Sequence, residues 1–296
     1  MRTISPLAFV LLAVGCTDAQ SREFDARNAP ADQPEIVGEG FVSTLEAEEI
    51  KLAVSPDGRQ QVWGAVGKAA RGKLDIWERH RQGDGTWSQP RPLGINGPGE
   101  DFDPAFSPDG TRLYFHSDRP GGYGRTDIYY AERRGEFGFA EPRNLGPRVN
   151  SEDAEWAPWA LADGRILFAS DGWGGQCRHD IFLVDPEGDA PPTNLGPAIN
   201  GELSEFDPTV SPDGQTIVFS RGLYGPQGED FSVWRSDKRE GEWQRARPVA
   251  LGCGTYTIGL AFLPDGSFTF SSRCPDPEAV RMQILRISRS GLDSAA

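Results

Sequence analysis

Phe102-Asp103-Pro104-Ala105-Phe106-Ser107-Pro108-Asp109-Gly110 leads into Leu113-Tyr114-Phe115-His116-Ser117-Asp118-Arg119, then a Gly-rich loop and Asp127-Ile128-Tyr129. The pattern recurs along the chain. Its Asp-Gly pair returns at Asp57, Asp163, Asp213 and Asp265, so that successive pairs stand 52, 54, 50 and 52 residues apart. A fixed period of this length marks a repeat architecture. Short runs of β-forming residues bounded by turn residues make each unit all-β, as in a propeller blade. In Ser107-Pro108-Asp109-Gly110, Pro presets φ, Asp bonds nearby amides and Gly accepts positive φ.

Each repeat follows one grammar. An inner strand runs into the Asp-Gly turn, and a second strand such as Leu113-Tyr114-Phe115 or Ile166-Leu167-Phe168 follows. A Gly-rich loop leads to a third strand such as Asp127-Ile128-Tyr129 or Asp180-Ile181-Phe182. A fourth segment reads Pro142-Arg143-Asn144-Leu145-Gly146 or Thr193-Asn194-Leu195-Gly196, and an apolar-Asn pair follows (Ile95-Asn96, Val149-Asn150, Ile199-Asn200). The fifth repeat stops after its third strand. Pro34-Glu35-Ile36-Val37-Gly38 carries the missing pattern, so the N-terminal strand is expected to complete the last blade and close the ring. The predicted fold is all-β, a single propeller of five four-stranded blades over 34–293, with six blades as the alternative.

These motifs resemble the WD40-like propeller repeats with a Pro-Asp-Gly turn, as in TolB-like propellers. The resemblance implies an interaction scaffold in a bacterial cell envelope. The chain departs from TolB in its five blades and in the absence of room for a preceding α/β domain. Leu12-Ala13-Val14-Gly15-Cys16 also resembles a lipoprotein signal, which implies a signal peptide over 1–15, a lipid on Cys16 and outer-membrane attachment facing the periplasm. Residues 17–33 are polar and aperiodic and read as a tether.

Of 296 residues, 44 are Asp or Glu and 30 are Lys or Arg, giving a formal charge of -14. A surface of that sign repels phosphate, so nucleic acid is not an expected partner. The connections entering the blades carry acids: Asp101 and Asp103, Glu155, Glu205 and Asp207. Strand parity places them on one face with the loop aromatics Tyr123, Trp173 and Tyr224. This face is the candidate binding surface for a protein or a peptidoglycan-associated partner, and the chain is expected to be monomeric and not an enzyme. The alternative is a glycan-binding or glycoside-hydrolase propeller using the same carboxylates and aromatics.

Other chemistries find less support. The three histidines, His80, His116 and His179, accompany no Gly-x-Ser-x-Gly elbow. Cys177 and His179 lack a second ligand pair, and no calcium-loop run occurs, so no metal or cofactor is expected. Cys253 and Cys274 fall on the same face of the fifth repeat and are expected to form a disulfide in an oxidising compartment, leaving Cys177 unpaired.

Overall fold

Each repeat becomes one antiparallel sheet, and the five sheets form a five-bladed propeller. The computed structural model describes residues 33–67, 74–175, 179–225, 228–253, 256–274 and 281–295. The signal sequence, Cys16, nearly all of the tether and Cys177 lie outside them.

The first blade comprises Glu48–Val54, Gln60–Val66, Leu74–His80 and Arg91–Pro92. The second comprises Asp101–Phe106, Arg112–Ser117, Asp127–Arg134 and Arg143–Asn144. Glu155–Ala160, Ile166–Ser170, Asp180–Val184 and Thr193–Asn194 make the third. The fourth uses Ser204–Val210, Thr216–Gly225, Gly228–Arg239 and Arg247–Val249. In the fifth, Ile258–Phe262, Phe268–Ser272 and Gln283–Ile287 are joined by Glu35–Ile36 from the other end of the chain.

The turns behave as their chemistry requires. Ser107 Oγ donates to Asp109 Oδ1 (2.6 Å), which also accepts the Thr111 amide (3.0 Å), and Gly110 takes φ +71°. Between blades, apolar faces interlock. The Phe102 ring lies over Gly64, where a Cβ would come within 2.4 Å of it.

The apolar-Asn pairs have a specific task. Asn150 Oδ1 accepts the Ile128 amide (2.7 Å), and its Nδ2 donates to the Ile128 carbonyl (3.0 Å). Asn96 does the same for Ile76, and Asn200 for Ile181. The side chain thereby extends the sheet where the short fourth strand ends. Asn150→Ala would orphan the buried Ile128 amide, at about 1–3 kcal/mol, and leave the Ile128 carbonyl with the Leu145 amide alone (3.1 Å). Thermal unfolding should show Tm lower by roughly 3–10 °C for a domain of this size.

Ser43 fills this role at the closure. Its Oγ accepts the Ile284 amide (3.1 Å) and donates to the Ile284 carbonyl (3.2 Å). Glu35 pairs with Arg286 and Ile36 with Leu285, and the Val37 amide donates to Ile284 O (2.9 Å). The two chain ends therefore share one sheet, which leaves no open edge between first and last blade.

One element has no counterpart in the sequence reading: the helix Arg289–Ser294. Ser288 caps it by accepting the Gly291 amide (3.0 Å), and Leu292 is buried among Val233, Val249 and Leu260.

Candidate functional site at the propeller centre

All five inner strands break register at the same place. Pairing slips between Ile50 and Leu52, Phe102 and Ala105, Trp156 and Trp159, Phe206 and Thr209, and Ile258 and Ala261. The residue at each slip is left-handed: Lys51 (φ 54°), Asp103 (52°), Ala157 (51°), Asp207 (49°) and Gly259 (64°). A β-bulge of this kind re-aims its side chain. Glycine takes the conformation freely, whereas a residue with a Cβ is strained there. Blade 5 uses the relaxed residue; blades 1, 2 and 4 place charged side chains at the strained position.

Three of these bulge side chains come together with His116. Lys51 Nζ lies 3.7 Å from Asp207 Oδ1, and His116 Nδ1 lies 3.3 Å from Asp103 Oδ2. Lys51 is fully buried, and its ammonium makes no hydrogen bond among the described residues. A buried ion with so incomplete a shell is costly and is a cue to function.

One cation cannot neutralise two carboxylates, so the acids divide. Burial works to raise the Asp103 carboxyl, but the Lys51 ammonium and His116 outweigh it and hold the carboxyl below the usual range. Burial and the neighbouring Asp103 charge push Asp207 up to about 6, despite Lys51 and the Gly259 amide that donates to its Oδ2 (2.8 Å). Below about pH 6 an ionised and a neutral carboxyl group thus stand in one buried cluster, the division that acid–base chemistry requires.

The other predicted acids do something else. Asp101, Glu155 and Glu205 each stand two residues before the bulge and are 0% exposed. Each ties down the loop that enters its own blade. Asp101 accepts the Gly97 amide and pairs with Arg119. Glu155 accepts the Ser151 amide (2.9 Å) and the Ser170 hydroxyl (2.8 Å). Glu205 accepts the Gly201 amide (3.1 Å) and Arg221 Nε (2.7 Å). The expected open acidic face is corrected accordingly: these three are braces that an incoming partner cannot reach. Glu155 is also out of step with Asp103 and Asp207, because Ala157 holds the matching position.

Burial pushes Glu155 and Glu205 up to about 7, against the serine bonds of the first and the Arg221 pair of the second. Between pH 4.5 and 7 the folded protein keeps protons that the unfolded chain releases, so this contribution is full below 4.5 and lost as pH rises through 7. In the opposite sense, the Ser107 and Ser211 hydroxyls, with the turn amides, hold Asp109 and Asp213 below the usual range. Their contribution is present above 3.8 and lost as pH falls through their lowered values. Tm should therefore be highest near pH 4, between these two limits. Glu155→Gln keeps acceptors and donors for Ser151 and Ser170 and should lessen the fall in Tm between pH 5 and 8, read by calorimetry.

Of the predicted aromatics, Tyr123 is 52% exposed. Trp173 is half-buried, and its indole N–H donates to Val149 O (3.0 Å), which makes it part of the wall. Tyr224 lies in a strand, but its side chain falls outside the described residues. Cys253 and Cys274 form a disulfide with Cα atoms 5.2 Å apart. No group of three or more metal-ligating side chains occurs among the described residues. The sequence pattern does not point to Lys51 or His116: blade 1 lacks the Asp-Pro that follows the brace in blades 2 and 4, and His116 accompanies no nucleophile motif.

No protein-family model and no curated protein matches the chain. Solved structures match in fold. The native arabinanase of Bacillus subtilis aligns with TM-score 0.54 and 11% identity, over 82% of this chain and 96% of that one. The α-L-arabinofuranosidase of Podospora anserina, solved with cellotriose, aligns at 0.48 and 14%, over 88% and 96%. A gluconolactonase of Xanthomonas campestris aligns at 0.47 and 17%, over 88% and 87%. The expectation that the chain is not an enzyme is withdrawn on the arabinanase alone, an enzyme with which the chain shares its fold.

Proposed function

We propose that the protein is a glycoside hydrolase-type propeller acting on glycans, with Asp207 as general acid and Asp103 as its ionised partner. The observation that carries this reading is the pair of equivalent bulges in blades 2 and 4, which bring the Asp103 and Asp207 carboxyl groups into one buried cluster with Lys51 and His116. Glycosidic cleavage needs one carboxyl to protonate the leaving oxygen and a second, ionised one to activate water or to form the glycosyl intermediate. Asp207, neutral below about pH 6, suits the first task. Asp103 suits the second. Lys51 and His116 position the acids and hold their charges apart. The fold shared with the arabinanase supports glycans as the substrate class, with arabinan the first to try.

The chain is inferred to act outside the cytoplasm, a reading supported by the signal-like N-terminus and the Cys253–Cys274 disulfide. The test is release of reducing ends or aryl alcohol from arabinan and a panel of aryl pentosides and hexosides. Hydrolysis by the wild-type chain and its loss in Asp103→Asn would support the proposal. No hydrolysis of any member would overturn it.

A further inference from the structure

The face opposite the blade-entry loops holds a cavity of about 420 Å³, within the range of small-molecule sites. It lies on the propeller axis, because every blade contributes to its wall: Val54, Phe106, Trp159, Val210 and Phe262. These residues stand two or three positions beyond the bulges, at the ends of the same inner strands. The Pro-Asp-Gly turns form its rim, and Trp243 extends it between blades 3 and 4. Its lining is apolar and aromatic, with few groups to bond sugar hydroxyls. It is therefore unlike a glycan subsite and separate from the cluster proposed for catalysis.

Three charged residues reach the cavity: Asp163, Arg165 and Lys238. Arg165 is spoken for, since its Nη2 pairs with Asp163 Oδ2 at 2.7 Å. Lys238 pairs with no carboxylate among the described residues. Its ammonium stands over the Trp243 indole, 4.5 Å from the ring centroid, where the ring steadies it without neutralising it. The cavity thus joins an apolar chamber to one uncompensated cation in a chain whose formal charge is -14.

We propose that this cavity binds a single amphiphile, an acyl chain in the chamber with its carboxylate against Lys238. A free molecule fits better than a bilayer. Asp57, Asp109 and Asp213 are exposed on the surrounding turns, form no ion pair among the described residues, and repel an anionic membrane, whereas one chain passes between them.

Calorimetric titration with decanoate, dodecanoate, 1-dodecanol and dodecyltrimethylammonium, each below its aggregation limit, tests the assignment. Dodecanoate should bind one per chain and more tightly than decanoate by about fifteenfold, since each of the two extra methylenes gives nearly fourfold. It should also quench tryptophan fluorescence through Trp159 and Trp243. Lys238→Met, a substitution at a half-buried side chain, should weaken dodecanoate about tenfold and leave dodecanol unchanged. Failure to saturate at one per chain, equal or tighter binding of the cationic amphiphile, or dodecanoate affinity unmoved by Lys238→Met would overturn it. So would sedimentation with phosphatidylglycerol vesicles in the absence of dodecanoate binding. None of these readouts depends on hydrolysis, so the result stands apart from the glycosidase reading.

Discussion

Asp207→Asn is expected to cut glycoside hydrolysis by about 10²–10⁴-fold, the usual contribution of a positioned general acid. The amide keeps the shape of the carboxyl and still accepts the Gly259 amide that now reaches Asp207 Oδ2 at 2.8 Å. It has no proton to give. At pH 5, where Asp207 is neutral, folding should not suffer, because the substitution takes no charge from Lys51. The partner substitution behaves differently. Asp103→Asn removes the charge that offsets Lys51, leaving the fully buried ammonium to draw its counter-charge from Asp207. Asp207 then ionises more readily and ceases to hold a proton in the mild acid where it serves as the acid. Both variants should lose activity, but only Asp103→Asn should also lose stability, since breaking a buried charge arrangement from one side costs about 3–5 kcal/mol. Equal stability of the two, measured by denaturant unfolding, would mean that Lys51 does not discriminate between the acids.

A chain beginning at Thr44 should unfold far below one beginning at Pro34. The segment removed supplies the outermost strand of blade 5 through Glu35 and Ile36. It also supplies Val42, which is fully buried with Leu52, Trp63 and Ile284, and Ser43, which satisfies both backbone groups of Ile284. Loss of Ser43's two bonds alone costs about 2–4 kcal/mol. Exposure of Val42's site adds about 1.5–3 kcal/mol of lost burial. Together these approach the whole stability of a typical domain, about 5–15 kcal/mol. The shorter chain is expected to be partly unfolded at 37 °C by near-ultraviolet dichroism. Equal melting of the two chains would show that the ring holds without its closing strand.

Much of this architecture was legible because it repeats. The Asp-Gly period gives the number of blades, and the fourth-strand pattern in Pro34-Glu35-Ile36-Val37-Gly38 points to the closure. The structure adds a correspondence that the sequence pattern does not show: the Ser43 and Asn150 side chains perform the same two-bond extension of the third strand. The helix Arg289–Ser294 was missed because it is six residues long and occurs once, so no period reveals it. Its capping Ser288 was the only local signal.

The site was half legible, for a reason that lies in the same repetition. Acids at two offsets were read together as one surface. Asp101, Glu155 and Glu205 occupy the offset where blades 1 to 4 all carry an acid (Glu49 is the first), and that constancy belongs to a structural brace. Asp103 and Asp207 occupy the offset where the residue changes from blade to blade through Lys51, Ala157 and Gly259. In a repeat protein the position that varies under a constant backbone is where a site can be built. The bulge that turns those side chains inward leaves no mark in the sequence beyond Gly259. The approach of Lys51 in blade 1 to Asp207 in blade 4 depends on ring closure, which no local pattern encodes.

The most direct test of the central claim is the pH dependence of kcat/KM for glycoside hydrolysis by the wild-type chain and Asp207→Asn. With Asp103 held below the usual carboxylate range and Asp207 titrating at about 6, wild-type activity should hold across mild acid and fall tenfold per pH unit above pH 6. The residual rate of Asp207→Asn should lack that falling limb. A wild-type profile flat from pH 5 to 8, or a falling limb that persists in Asp207→Asn, would contradict the assignment of Asp207 as the acid.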